Sequence, residues 1–198
     1  MTERRHGAGG AIVGVSDHYG WAALMTVTRE GTLVDRRRVA LVDDGLPDHP
    51  YHYEGQVLPL EEALEVIERV RASAERRAQL ALEEVATAVS ARIVGLALRE
   101  CPQLPPTVAA RIRDYRAQCV ADSVMYRMAL AGAAEAKGWT VHWYDPRKVF
   151  EGAGHALRAD FETRFHAMRK SMGPPWGKDQ MLAMSAAIVA AHSKQPQR

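Results

Sequence analysis

Residues 11–42 read AIVGVSDHYGWAALMTVTREGTLVDRRRVALV, three strand-like runs with only short turns between them. The first run carries Ile12, Val13 and Val15 and breaks at Ser16-Asp17-His18-Tyr19-Gly20, a turn whose glycine can take a positive φ. The second alternates weakly through Trp21, Ala23, Met25 and Val27, and Arg29-Glu30-Gly31 turns the chain into the third, residues 33–42. Connections this short force the three runs to pair as an antiparallel meander. Asp17 then stands at the carboxyl-terminal end of the first strand, where no ladder or capping duty accounts for it. Arg36, Arg37 and Arg38 fall in the middle of the third strand. That suits an edge position where charge discourages pairing with a second molecule, and a phosphate-binding stripe is the alternative.

Working outward, the later apolar blocks alternate between two periods. Leu58-Pro59-Leu60-Glu61-Glu62 opens a helix with proline and acids in the favoured first turn. Leu60, Ala63, Leu64, Ile67, Val70, Ala74, Ala78, Ala81, Leu82 and Val85 recur at three and four and predict one buried face, with the Glu and Arg residues on the wet side. Residues 93–98, apolar on both faces, read as a central parallel strand. A helix is expected over 107–137, closed by Gly138, then a strand over 140–144, a helix over 150–171, a break at Gly173-Pro174-Pro175-Trp176-Gly177, and a last, well-buried helix opened by Lys178-Asp179. Strands reached across long helices pair in parallel by right-handed crossover.

Composition bounds the class. At 198 residues with 47% hydrophobic side chains, one domain over 11–192 is expected, flanked by a glycine-rich start (1–10) and a polar tail (193–198). A formal charge of +2, from 26 basic and 24 acidic residues, is too balanced to imply nucleic-acid binding by net charge, so any basic surface is local. Cys101 and Cys119 are too few for a disulfide framework or a zinc site. With no stretch near the roughly 20 apolar residues of a membrane span and no signal-like start, the expectation is a cytoplasmic protein with no membrane partner. No pattern specifies an oligomeric state.

A three-strand meander followed by helix, strand, helix, strand, helix resembles the ribonuclease H-like fold. The nearest look is to Holliday-junction resolvase-like proteins, through the hydrophobic first strand ending in Asp17, the acid Glu100 after the fourth strand, and Lys178-Asp179 at the last helix. The resemblance implies an α/β domain with a five-stranded mixed sheet in the order 3-2-1-4-5 and helices on both faces. It also implies Asp17, Glu100 and Asp179 as metal ligands. In that topology strands one and four are parallel neighbours, and ligands favour the carboxyl ends of strands at such a switch point. Asp145 would lie one strand further out. Carboxylates gathered there repel one another unless a cation or protons are present. Hard oxygen ligands point to Mg²⁺ or Mn²⁺ over zinc, and His18 or His52 would tilt the site toward Mn²⁺ or another transition metal.

Two functions follow. One is a divalent-metal-dependent phosphodiesterase or nuclease, with Asp17, Glu100, Asp145 and Asp179 at the metal, Lys178, Arg127 and Arg147 at phosphate, and His18 or His52, with Glu54, moving protons. The other is a non-catalytic module that binds nucleic acid or a protein, with residues 51–54 and Arg36 to Arg38 as the contact surface. Tyr126, on the helix facing the sheet, is a further candidate for a chemical role. Several of these residues also admit a structural duty: Asp179 as a helix N-cap, Asp145 before proline as a turn residue, Tyr126 as packing that needs a hydroxyl partner, and Lys178 as a solvated charge. The aperiodic stretch 43–59, rich in His, Tyr and carboxylate, is either a packed surface loop or part of the site. Actin-type nucleotide hydrolysis fits poorly, because Gly7 to Gly10 precede the first strand instead of following it.

Overall fold

The computed structural model describes residues 10–157, 163, 165, 166, 170, 173, 174 and 176–193. The start (1–9), the end (194–198), Pro175 and most of the helix expected beyond residue 157 lie outside the described residues.

Five strands, β1 (Ala11–His18), β2 (Trp21–Val27), β3 (Leu33–Ala40), β4 (Ile93–Arg99) and β5 (Thr140–Tyr144), form one sheet in the order β3-β2-β1-β4-β5. The β1–β2 and β2–β3 pairs are antiparallel, and the β1–β4 and β4–β5 pairs are parallel. This is the topology expected from the sequence, and β3, with its three arginines, lies at the edge. The main-chain N–H of Leu41 donates to the carbonyl of Gly20 at 2.7 Å just past the end of β3.

Six helices are described: α1 (Glu54–Val57), α2 (Leu60–Ala88), α3 (Val108–Arg113), α4 (Tyr115–Ala136), α5 (Val149–Leu157) and α6 (Lys178–His192). The stretch expected as one helix over 107–137 is two. Asp114 breaks it with extended backbone (φ −109°, ψ 107°), and its carboxylate accepts from the main-chain N–H groups of Arg116 (2.9 Å) and Ala117 (3.3 Å), starting α4 afresh. The aperiodic stretch before α2 likewise contains one helical turn, α1.

The two faces of the sheet carry separate cores, and the two-residue period of β1 divides its side chains between them. Ala11, Val13 and Val15 join Ile67, Val70, Leu82, Met125, Tyr126 and Leu130 from α2 and α4 on one face. Ile12 joins Val149 and Ala153 of α5 and Leu182, Ala183, Ala187 and Ile188 of α6 on the other. β1 is buried along almost its whole length, as befits a strand covered on both sides. On α2 the apolar buried positions, Ala63, Ile67, Val70, Ala74, Ala78, Ala81, Leu82 and Val85, follow the predicted three-and-four spacing, while Leu60 and Leu64 at its start are partly buried and Ser73 is buried among them.

Helix α6 lies against the backbone of β1. A Cβ at Gly14 would stand 1.8 Å from the carbonyl oxygen of Ala183 and 2.9 Å from the nitrogen of Ala187. The alanines of α6 and the absence of a side chain at Gly14 are thus two halves of one contact. Gly14→Ala is expected to cost about 3 kcal/mol, read as a lower urea midpoint, because the clash is with backbone that cannot rotate aside. A midpoint equal to wild type would show that α6 can slide on the sheet.

Candidate functional site

At the carboxyl ends of β1 and β4, Asp17 points into the α4 face. Its Oδ2 accepts from Nε of Arg127 at 2.8 Å, and both side chains are buried. Nε of Arg99, at the end of β4, lies 3.9 Å from Asp17 Oδ1. Both of these atoms are buried without a hydrogen-bond partner among the described residues. Nη1 of Arg127 also donates to the carbonyl of Glu100 at 3.2 Å, so one guanidinium ties the ends of β1 and β4 together. A single buried carboxylate here faces two guanidinium groups. A buried charge must be paired, and Asp17 has its counter-charge from the protein.

The other acids expected at this centre are placed differently. The side chain of Glu100 is exposed, and its main chain does the binding: its N–H donates to the carbonyl of Tyr144 at 3.0 Å, and its carbonyl accepts from Arg127. Asp145 accepts from the main-chain N–H of Arg147 at 2.9 Å and from its Nε at 3.3 Å, the arrangement of a turn. The Arg147 N–H holds its carboxyl below the ordinary carboxylate value.

Asp179 lies on the opposite face of the sheet from Asp17. Its Oδ1 accepts from Oγ of Ser16 at 3.0 Å and is 2.8 Å from Nε2 of His18. The N-cap of α6 is Gly177, whose N–H donates to Gln180 Oε1 at 2.8 Å, so Asp179 is free of the capping duty and reaches β1 instead. The ring of His18 stacks on Trp21 at 4.1 Å and 3° between planes, and the guanidinium of Arg38 lies 4.0 Å from the Trp21 ring. His18 and Asp179 remain about one-third open to solvent (39% and 33%), enough to meet a ligand. Lys178, one residue before Asp179, is exposed. The structure therefore brings Ser16, His18 and Asp179 together and keeps Asp17 apart from them. The cause is the strand period, which sends adjacent side chains to opposite faces. Among the described residues no group of three or more His, Cys, Asp or Glu side chains is placed to hold a metal ion.

The histidine- and tyrosine-rich stretch is pinned to α4. The carboxylate of Asp122 accepts from the main-chain N–H groups of Tyr51 (2.9 Å) and His52 (3.1 Å), and the hydroxyl of Tyr126 donates to the carbonyl of Asp48 at 3.1 Å. Tyr126 thus has the partner a buried phenol requires, and burial pushes its pKa up. Burial likewise pushes the Asp122 carboxyl up to about 6, against the pull of the two N–H groups. His52 and Glu54 are half-buried on this stretch. His52 Nδ1 and Glu54 Oε2 are enclosed without a hydrogen-bond partner among the described residues. Tyr126 and Arg127 are neighbours on α4, one holding this loop and the other the end of β1.

Asp122, Tyr126 and Arg127 lie at helical spacing that lets them share a flank of α4, a signal the sequence does carry. For Ser16 and Arg99 the sequence signal is weaker. The alternation Ser16-Asp17-His18 was the available signal for the first, since only one of Asp17 and its neighbours can face a given helix layer. Arg99 had the weaker signal of standing beside Glu100 at a strand end.

Comparison with solved structures places the chain's fold. It is similar to RuvC of Thermus thermophilus bound to a Holliday junction substrate, at 14% sequence identity and a TM-score of 0.50, over 92% of this chain and 93% of that one. A second Thermus thermophilus RuvC structure matches with the same values. No protein-family model and no curated protein sequence matches the chain. The α/β domain with its five-stranded 3-2-1-4-5 sheet is of the ribonuclease H-like fold.

Two measurements check the electrostatics. Arg127→Met leaves Asp17 buried against Arg99 alone and is expected to cost about 3–5 kcal/mol. The double variant Asp17→Asn with Arg127→Met should recover much of that loss in urea denaturation, and failure to recover would show that Arg127 acts through packing. As pH falls, the folded state takes up the Asp122 proton near 6, before the unfolded chain does at about 3.8. Asp122 therefore adds stability as pH drops below about 6, and the gain is complete near 4. Over that window wild type should gain on the order of 3 kcal/mol over Asp122→Asn. Parallel pH profiles for the two proteins would show that Asp122 titrates at its ordinary value.

Proposed function

We propose that this chain is a nucleic-acid-binding domain of the ribonuclease H-like fold in which the acid of the first strand serves a buried ion pair and not a metal centre. The observation that carries the reading is the closure of Asp17 by Arg127 at 2.8 Å, with Arg99 on its other oxygen. Mg²⁺ or Mn²⁺ would have to displace a buried guanidinium and then sit beside two positive charges. It would also find Asp179 on the far side of the sheet. The described residues therefore fit a divalent ion poorly at Asp17. A surplus of guanidinium over carboxylate suits an anion instead. In this reading Arg99, one-third exposed at the end of β4 and backed by the buried Arg127, draws phosphate there, and exposed Arg147 and Lys178 extend the contact. The fold shared with a protein captured on a Holliday junction makes nucleic acid the phosphate-bearing partner to test.

A second reading, hydrolysis of a phosphodiester, draws on one observation. His18 is bonded to Asp179 and open to solvent at the carboxyl end of β1, an arrangement able to orient an imidazole for proton transfer. In that reading Asp179 positions His18.

Fluorescence anisotropy with a labelled four-way DNA junction, a duplex and a single strand, over a range of salt, separates these readings. Binding that weakens linearly in log–log salt, with the DNA intact in Mg²⁺ and Mn²⁺, is expected. Metal-dependent cleavage lost in Asp17→Asn would overturn the assignment in favour of a nuclease. Cleavage lost in His18→Ala but retained in Asp17→Asn would favour the second reading. Absence of binding to all three substrates would remove the nucleic-acid assignment.

A further inference from the structure

The loop between β3 and α2 carries aromatic surface that neither the ion pair nor the core uses. Tyr19, in the β1–β2 turn, faces His49 at 3.9 Å between ring centroids and a 34° tilt. His49 meets Tyr53 at 5.3 Å and 50°, and Tyr53 receives His52 edge-on at 5.1 Å. The outer members are open: Tyr19 is 36% and Tyr53 58% exposed. A tyrosine so exposed gains little from burial, yet its backbone is held firmly. The N–H of Tyr53 donates to the carbonyl of His49 at 2.9 Å, Asp122 anchors the two preceding residues, and Tyr126 anchors Asp48. The loop also sits tightly on the turn that bears Tyr19. A Cβ at Gly20 would stand 3.0 Å from Cβ of Asp48, and the glycine has φ +73°. The tier is thus a rigid, partly open row of rings that begins one residue beyond His18.

We infer that the Tyr19–His49–Tyr53 tier is a stacking platform for an unpaired nucleobase, with Tyr53 as its open end. This inference rests on the nucleic-acid reading above and names the part of the ligand that reading leaves unassigned. Stacking needs a flat apolar face that is already ordered, since a mobile ring would lose on immobilisation what it gains in contact. Rings fixed at their backbone meet that condition, and every base offers a matching π face. A base within a duplex is stacked on its neighbours and cannot be received, so the platform selects single strands, loops or the open centre of a branched molecule. Anchoring divides the labour along α4: Arg127 ties the ends of β1 and β4 beside Arg99, the phosphate-binding group of the reading above, and Tyr126 next to it fixes the loop that would receive the base.

The test uses the full chain and three labelled probes of equal length: a single strand, the corresponding duplex, and a single strand of abasic residues carrying one normal base at its end. Tyr53→Ala is expected to weaken binding of the single strand about tenfold, to leave duplex binding unchanged and to leave the log–log salt slope unchanged, because a ring and not a charge is removed. Tyr53→Phe should restore wild-type affinity. A 2-aminopurine in the single strand should be quenched on binding to wild type and to Tyr53→Phe but not to Tyr53→Ala. Equal single-strand affinity of wild type and Tyr53→Ala, or an equal loss on duplex and single strand, would overturn the platform while leaving nucleic-acid binding in place. Failure of wild type to bind any probe would instead overturn the reading on which the platform rests.

Discussion

The arrangement of this protein depends on the two-residue alternation of a strand that is buried on both faces. β1 has helices α2 and α4 on one side and α5 and α6 on the other, so each successive side chain enters a different core. Where the strand is apolar, the alternation builds two hydrophobic layers. Where it becomes polar, at Ser16-Asp17-His18, the same alternation deals the polar groups to two separate neighbourhoods. Asp17 meets arginines, while Ser16 and His18 meet Asp179. A shift of one residue in register would exchange these sets and place a carboxylate against the α6 face. The backbone contact between Gly14 and Ala183 opposes such a shift, since only glycine fits there.

Helix α4 converts that division into a surface. Asp122 and Tyr126 hold the loop from below, and Arg127 spans the ends of β1 and β4. The grip on the loop comes from groups whose burial is costly: a carboxyl pushed up to about 6 and a phenol also raised by burial. Each is compensated by a hydrogen bond to main chain, and that is what orders an otherwise aperiodic segment. Tyr144 belongs to the same construction. Its hydroxyl donates to the carbonyl of Val15 at 2.7 Å, and burial raises its pKa to about 12, so it joins β5 to the central strand as a neutral phenol.

Electrostatically the two faces differ in kind. The α4 face holds a carboxylate under two guanidinium groups. The α6 face holds a carboxylate under a hydroxyl and an imidazole that is stacked on an indole. The first sets two guanidinium groups against one buried carboxylate, with Arg99 still partly exposed. The second leaves a group able to exchange a proton. Among the described residues neither gathers three acids around a shared point, because β1 contributes only one side chain in two to each face, and the acids after β4 and β5 are turned outward or spent on a turn.

The sequence by itself determined the order and type of the elements. Turn residues between residues 11 and 42 left the meander no alternative pairing, and the helix-separated apolar runs at 93–98 and 140–144 could close the sheet only in parallel. It also determined the buried face of α2, because a periodic pattern encodes its own partner side. The break at Asp114 is not legible there, since a capping aspartate within a helical pattern is indistinguishable from a surface acid until its carboxylate is seen on the next N–H groups. Tertiary structure alone decided which strand-end residues meet. Asp17, Glu100, Asp145 and Asp179 all lie at the correct end of the sheet, but facing, exposure and choice of counter-charge are set by the packing of α4 and α6. The partners come from far along the chain, Arg127 lying 110 residues from Asp17 and Asp179 lying 163 from Ser16, and no local pattern records the direction in which a side chain will find its partner.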